Sequence, residues 1–419
     1  MRVLYLHQYF VPPTGSGGTR SYEMAKRLVA RGHDVTVLTS ESMFPESMKC
    51  GRKAEHWIDG IHVITLPVSY DNAMSNAARI VAFSRFAGRV VFESLLYDAD
   101  VVFATSTPLT IAVPGLLARL RARCPMVFEV RDLWPELPIA IGALNNRATQ
   151  LAARALEWVA YHGSAQVVAL SPGMADGVAK TGYPRDQITV IPNGCDIAAF
   201  EADPGQAARF RRALLPEIDA SDPLVVYAGT FGRINDVGWL ADVAAKMRTV
   251  APTVRFAIVG SGAEAKAIEQ RARAASVLGE NLFVRPPIKK SEMPLLLSTA
   301  QVSTSLFQPL PEMENNSANK FFDTLAAGRP IALNYGGWQA DLVRESGAGI
   351  VMPQSDAAAA AEQLGALATA EVRCARAGEA ALSLAKQSFH RDALADALEA
   401  TLLRAADPHG GHQPMETAA

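Results

Sequence analysis

Short runs of β-branched and aromatic residues alternate with helical patterns along nearly the whole chain, and this alternation restricts the fold more than any single motif. "RVLYLHQ" passes through a glycine-rich loop into the helical stretch "TRSYEMAKRLVARGH", where Gly32 stops the helix, and "DVTVLTS" follows. The runs "IHVITLPV", "DVVFATS", "PMVFEVRD" and "AQVVALS" continue the series as far as "ITVIPNGCDIAAF". Continuous apolar runs, rather than strict alternation, are the pattern of parallel strands buried on both faces. Between Glu201 and Pro223 the rhythm weakens, and it restarts with "PLVVYAGTFGR", "VRFAIVGSG", "NLFVRPPI", "AQVSTSLF", "PIALNYG" and "GIVMP". The reading is an α/β chain of two Rossmann-like, doubly wound domains facing a cleft, residues 1–200 and 223–385, joined by a linker over 201–222. A helix over 386–403 is expected to pack back toward the first domain. The residues 404–419 lack an apolar face and read as a disordered tail.

Bulk properties agree. A chain of 419 residues is too long for one ordinary core, and 49% hydrophobic with 20% charged residues is a globular composition. The formal net charge of −2 argues against nucleic acid as a partner, because phosphate-backbone binding needs a basic face. Cys50, Cys124, Cys195 and Cys374 are scattered without a C-x-x-C pair, which excludes a cysteine zinc site by spacing and suits a reducing cytosol. "MRVLYLHQYF" reads as a first strand rather than a signal peptide, and no stretch approaches the roughly 20 apolar residues of a membrane span. The expected location is cytoplasmic, at most peripheral on a membrane.

Open α/β sheets bind ligands beyond the carboxyl ends of their strands, so the loops there carry the functional reading. In "YFVPPTGSGGTRSYE", Gly15, Gly17 and Gly18 lie between strand and helix, where backbone can approach an anion. In "FEVRDLWPELP", Glu129, Arg131 and Asp132 end a buried strand, and such charges need a partner or a ligand. An Arg131–Asp132 or Arg131–Glu136 ion pair would satisfy them internally. "YAGTFGRINDVG" sets Arg233 on a glycine turn containing Gly229 and Gly232, a fork suited to phosphate. "VGSG" at 259–262, with Gly260, is a similar turn, and Arg285 in "VRPP", or its backbone, could meet a flat ligand.

"ENNSANKFFDTLAAGRP", residues 314–330, contains a helix whose apolar stripe is Phe321, Phe322, Leu325 and Ala326. A start near Ser317, an N-cap residue type, puts Lys320 in the first turn, where a cation opposes the helix dipole by roughly 0.3–1 kcal/mol. An anion on the helix N-terminus would turn that lysine into a counter-ion. Asp323, on the same face, is an acceptor suited to paired ribose hydroxyls, and anion plus ribose is a nucleoside diphosphate. A local Lys320–Asp323 surface pair is the alternative.

Together these loops resemble glycosyltransferase family 4, the retaining, metal-independent transferases of GT-B fold, over nearly the whole chain except the tail. "DTLAAGRP" matches the end of the family's E-x7-E region with Asp323 in the second acidic position, and "IPNGCD", "GTFGR", "VGSG" and Gly17–Gly18 match its other marks. "EVRDLWPE" and "ENNSANKFFDTLAAGRP" look like the bacterial subgroup that builds O-antigen, capsule and exopolysaccharide, including transferases of fucosamine- and fucose-type sugars. The resemblance implies a nucleotide-sugar donor on the C-terminal domain, with Arg233 and Lys320 on the diphosphate and Asp323 on the ribose. Residues Glu314, Asn315, Asn316, Ser317 and Asn319 would contact the donor sugar and phosphate, alongside Gly17, Gly18, Gly229, Gly260 and Arg285. The N-terminal domain would hold a polyprenyl-diphosphate-linked saccharide acceptor near Arg131, Asp132 and Trp134, with Asp132 contacting or deprotonating its hydroxyl. No cofactor or metal is implied.

Three departures stand out. Counting back from Asp323, the first acidic position falls on Asn315, with Glu314 one residue early. The lysine expected shortly after Arg233 is replaced by Val237, and the histidine often found after "FEV" by Arg131. A dinucleotide-dependent oxidoreductase would need G-x-G-x-x-G with an acidic residue ~20 positions on, which no loop completes. A GT-B epimerase or phosphorylase, and a non-catalytic nucleotide-sugar binder, remain rival readings. Finally, residues 77–96 are helix-compatible, with Arg79, Phe83, Phe86 and Val90 near one face and Arg85 and Arg89 bordering it. That face suits either a bilayer interface or the protein core.

Overall fold

The computed structural model describes residues 1–13, 15, 17–70 and 74–407, leaving the side chains of 76 and 77 aside. The first sheet has eight strands: β1 (Arg2–Leu6), β2 (Asp34–Ser40), β3 (Ala54–Ile58), β4 (Ile61–Leu66), β5 (Val101–Thr105), β6 (Met126–Val130), β7 (Gln166–Ala169) and β8 (Ile188–Val190). Their order is β3-β4-β2-β1-β5-β6-β7-β8, parallel except for the edge hairpin β3–β4. The second sheet contains β9 (Leu224–Thr230), β10 (Arg255–Ser261), β11 (Leu282–Arg285), β12 (Val302–Ser305), β13 (Ile331–Leu333) and β14 (Gly349–Val351). It is wholly parallel, in the order β11-β10-β9-β12-β13-β14.

Each sheet is covered on both faces, as the continuous apolar runs require. On the first sheet, Leu4, Leu6, Val102 and Phe128 point to a core shared with the helices Asn76–Ser94, Ala112–Ala122 and Arg147–His162. The alternate residues Val3, Tyr5, Val101 and Phe103 meet the helix Arg20–Ala30 and the last helix, Arg391–Ala406, through Leu394, Leu398 and Leu402. Phe83, Phe86 and Val90 therefore lie in the core, the second of the two readings open for that face. No helix among the described residues is long and apolar enough to cross a membrane.

The linker is more ordered than its composition suggests. It contains the helix Pro204–Leu214, capped by Asp203, and Arg211 donates from its C-terminal end to the carbonyls of Asp219 and Asp222. The last helix runs three residues beyond the expected 403, so residues 404–406 are helical rather than tail, and residues 408–419 lie outside the described set. The chain crosses between the domains a second time just before that helix. There Cys195 N donates to Phe389 O and Arg391 N to Cys195 O, in a two-chain crossing. A Cβ on Gly194 would come 2.8 Å from the Phe389 carbonyl oxygen, so the glycine of "IPNGCD" is demanded by this crossing.

Strand order reverses direction on either side of β1 in the first sheet and of β9 in the second. Ligand crevices form beyond strand ends at such switch points. The loops after β1 and β5, and those after β9 and β12, therefore border these crevices.

Candidate active site

One wall of the cleft is built on the helix Asn319–Ala326. Phe321, Phe322 and Leu325 are fully buried, and burying such side chains contributes roughly 1.5–3 kcal/mol each, which fixes the helix by its apolar face. Its N-cap is Ala318, without a capping side chain. Ser317, expected in that role, is used elsewhere: its Oγ accepts from Asn193 N at 3.1 Å and its carbonyl accepts from Asn193 Nδ2 at 2.6 Å. The helix mouth thus keeps backbone donors that no side chain caps.

Lys320 stands in this first turn. Its Nζ lies 4.8 Å over the Tyr227 ring and 5.8 Å from the Phe307 ring, and donates to Tyr227 Oη at 3.3 Å and Asn235 Oδ1 at 3.4 Å. Among the described residues no carboxylate pairs with it, and burial lowers its pKa to about 8. Gly229, at φ +153°, makes room: a Cβ there would sit 3.2 Å from Lys320 Cε. Arg233, on the turn after β9, is exposed and has no side-chain partner among the described residues. Val237, in place of an expected lysine, is buried.

Asp323 does not pair with Lys320. Its Oδ2 lies 2.5 Å from Nζ of Lys290, a residue of the loop after β11. The side chain of Arg285, expected to be able to meet a ligand, is engaged elsewhere. Its guanidinium donates to Leu214 O at 2.7 Å and pairs with Glu217 at 2.6 Å, fastening the linker helix to the sheet edge rather than offering a donor to the cleft. Gly260 has a structural reason of its own, because a Cβ there would meet Gly229 O at 1.9 Å.

The segment before the helix separates the two candidates for the first acidic position. Asn315 reaches the other domain: a Cβ on Gly173 would fall 1.8 Å from its Oδ1, and its carbonyl accepts from Ser171 Oγ at 2.6 Å. Glu314 is exposed, lies beside Gly336 and Gly337, and has no ion-pair partner among the described residues. Asn316 O accepts from Trp338 Nε1 at 2.9 Å. Asn319 faces Gly18, where a Cβ would approach its Nδ2 to 2.8 Å. Gly17, at φ +135°, has only Val11 near its Cβ position among the described residues.

The opposite wall belongs to the first domain. Arg131 forms neither of the internal ion pairs that would have satisfied it; its Nη1 lies 3.2 Å from His7 Nε2 and 3.4 Å from Ser21 Oγ. Burial, then the nearby Arg131, holds the His7 pKa well below its usual value, so the ring is neutral. Asp132 Oδ2 accepts from Thr107 Oγ1 at 2.7 Å, leaving Oδ1 without a partner among the described residues. Burial raises the Asp132 pKa, against the opposing effects of Thr107 and Arg131. Such a carboxylate is a more willing proton acceptor than an exposed one. Trp134 packs edge-on to Phe83 at 6.5 Å. Glu129 is not part of the cleft chemistry, since it is buried against Arg20 at 2.9 Å, and Arg20 also donates to the carbonyls of Ile191 and Pro192.

His7, Lys290, Asn193 and Ser171 escaped the sequence reading. His7 had a local signal, as a titratable residue at the carboxyl end of a buried strand, and Asn193 lies within "IPNGCD". Two cations without carboxylate partners near an uncapped helix mouth, facing a carboxylate and a neutral histidine, can accept an anionic leaving group on one side and a hydroxyl on the other.

Comparison with known proteins agrees with this arrangement. Residues 15–194 match the glycosyl transferase 4-like domain and residues 222–370 the glycosyl transferases group 1 domain. The chain is a family 4 glycosyltransferase of GT-B fold. This transferase is 23% identical over 299 residues to the Escherichia coli (strain K12) protein assigned as colanic acid biosynthesis glycosyl transferase WcaI, covering 68% of this chain and 71% of that one. It shares its fold with sucrose-phosphate synthase from Thermosynechococcus elongatus, at TM-score 0.75 and 18% identity over 95% and 97% of the two chains. The Anabaena HepE structure with UDP and glucose aligns at TM-score 0.70 and 17% identity, covering 96% and 99%.

Proposed function

We propose that the transferase moves a sugar from a nucleoside diphosphate sugar, with a UDP-sugar favoured over a GDP-sugar, to a hydroxyl of a growing cell-surface polysaccharide unit on a polyprenyl-diphosphate carrier. The observation that carries the donor reading is Lys320, a half-buried cation without a carboxylate partner among the described residues, at the mouth of a helix whose N-cap, Ala318, offers no capping side chain. A diphosphate there would take the ammonium of Lys320, the free guanidinium of Arg233 and the helix N–H groups as its counter-charges. HepE, a structural relative, was solved with UDP and glucose, which supports a uridine donor; WcaI, by its name, acts in colanic acid biosynthesis, which supports a polysaccharide product.

In this reading the bond between the anomeric carbon and the diphosphate oxygen breaks ahead of attack. The electron pair leaves on the nucleoside diphosphate, where Lys320 and Arg233 meet it. The acceptor hydroxyl bonds to the oxocarbenium-like carbon with retention, and Asp132 contacts or receives its proton. Asp323 holds the ribose, with Lys290 orienting its carboxylate, and Glu314 reaches the donor sugar. Titration of purified protein with UDP-, GDP- and dTDP-sugars should give saturable binding for at least one. Absence of binding to all three would overturn the donor site.

A further inference from the structure

Helices Asn76–Ser94, Ala112–Ala122 and Arg147–His162 lie side by side over the same face of the first sheet, since their inward residues share one core. Their outward sides are unusually apolar. Val81, Phe92 and Leu96 follow one ridge of the first helix and the turn beyond it, with Arg85 and Arg89 between them. Phe92 is 76% exposed and Leu96 69%. Leu117 and Leu120 continue the surface on the second helix, and Leu151 and Trp158 on the third. Isolated exposed apolar residues need no explanation, but a contiguous set on three adjacent helices does.

Charge says what covers it. The three helices, with Arg123 at the end of the second, contain eight arginines against two glutamates, in a chain of net charge −2. Both glutamates are removed from the surface: Glu157 is buried, and Glu93 is bound to Lys53. Arg85 and Arg89 have no ion-pair partner among the described residues, whereas Arg121 and Arg154 are tied at the rim to Asp98 and Glu136. Apolar side chains interleaved with free arginines, on a face whose exposed carboxylates among the described residues, Asp98 and Glu136, stand at the rim and are paired with arginine, match the headgroup region of an anionic bilayer.

We propose that the outward face of these three helices docks on an anionic membrane surface. It is the side opposite Phe83, Phe86 and Val90. Docking there leaves the cleft, at the strand ends, clear of the bilayer plane. The proposal does not depend on the identity of donor or acceptor.

The test is flotation of the purified full chain with phosphatidylcholine vesicles, with and without phosphatidylglycerol. The wild type should partition onto the anionic vesicles and weaken with salt. The F92E/L120E double variant should lose at least about tenfold in partitioning, and R85S/R89S should lose binding together with most of the salt dependence. Both variants should keep the wild-type melting temperature and donor affinity, because the altered side chains are exposed and far from the cleft loops. Wild-type protein that stays with the unbound fraction would overturn the proposal, as would variants that float like the wild type. A concentration-dependent dimer abolished by F92E/L120E, without vesicle binding, would assign the face to a second copy and overturn it equally.

Discussion

At the scale of single residues, Lys320 gives the sharpest expectation. A half-buried ammonium without a carboxylate partner, whose pKa burial lowers, adds little to stability in the absence of an anion, so Lys320→Ala should leave the ligand-free melting temperature unchanged or raised. The same variant should weaken donor binding tenfold or more, by loss of a charge-assisted contact worth roughly 1.5–3 kcal/mol. Calorimetry on the free and donor-titrated protein separates the two effects. The depressed pKa adds a pH signature. Below about 8 the ammonium form dominates and binding needs no proton; above it the lysine is neutral, and a bound diphosphate draws a proton in. Donor affinity should therefore fall by up to about tenfold per pH unit above that point, with proton uptake visible across buffers of different ionisation enthalpy. Asp132→Asn should behave oppositely. Donor affinity should be retained, while turnover falls by about 10²-fold or more if the carboxylate accepts the hydroxyl proton. Undiminished turnover would remove Asp132 from the chemistry.

At the scale of elements, the segment before the helix Asn319–Ala326 is held by the other domain. Gly173→Ala should test this directly, because its Cβ would fall on Asn315 Oδ1. The expected result is a raised KM for donor with a melting temperature close to wild type, and an unchanged KM would detach Asn315 from donor binding. This segment also shows where the sequence is informative. The apolar stripe of Phe321, Phe322 and Leu325 announces the helix, because burial of one face and helical spacing are the same fact. Its first turn is less legible: Ser317 has the chemistry of a cap, but Asn193, far away in the chain, takes its hydroxyl. Lys290 and Asp323 meet through the fold, and nothing near either residue announces the other. Likewise Arg285 looks free in "VRPP" until Leu214 and Glu217 arrive beside it. The edge strand β3 is hidden for a different reason, since an outer hairpin strand carries no continuous apolar run. The parallel strands, buried on both sides, are read from composition alone.

At the scale of the molecule, the last helix completes the first domain although the second domain precedes it in sequence. Leu394, Leu398 and Leu402 are buried there, and Arg27 of the helix Arg20–Ala30 holds this last helix through Asp392 at 2.6 Å while also meeting Asp196. A chain ending at His390 would leave that apolar face open, at a cost of roughly 1.5–3 kcal/mol for each large side chain. A large drop in melting temperature, or loss of soluble protein, is expected; a wild-type melting curve would show that the helix is dispensable.

The hydrogen bonds from Ser171 and Asn193 to the carbonyls of Asn315 and Ser317 have a thermodynamic consequence. If a ligand fixes that segment, it also fixes the angle between the domains. By reciprocity, whatever holds the domains together must improve the ligand's affinity by the same factor. Donor and acceptor, seated on different domains, would then sense one another through a stretch of main chain that need touch neither reacting atom. Their order of arrival would be set by hinge stiffness, a mechanical property of the backbone.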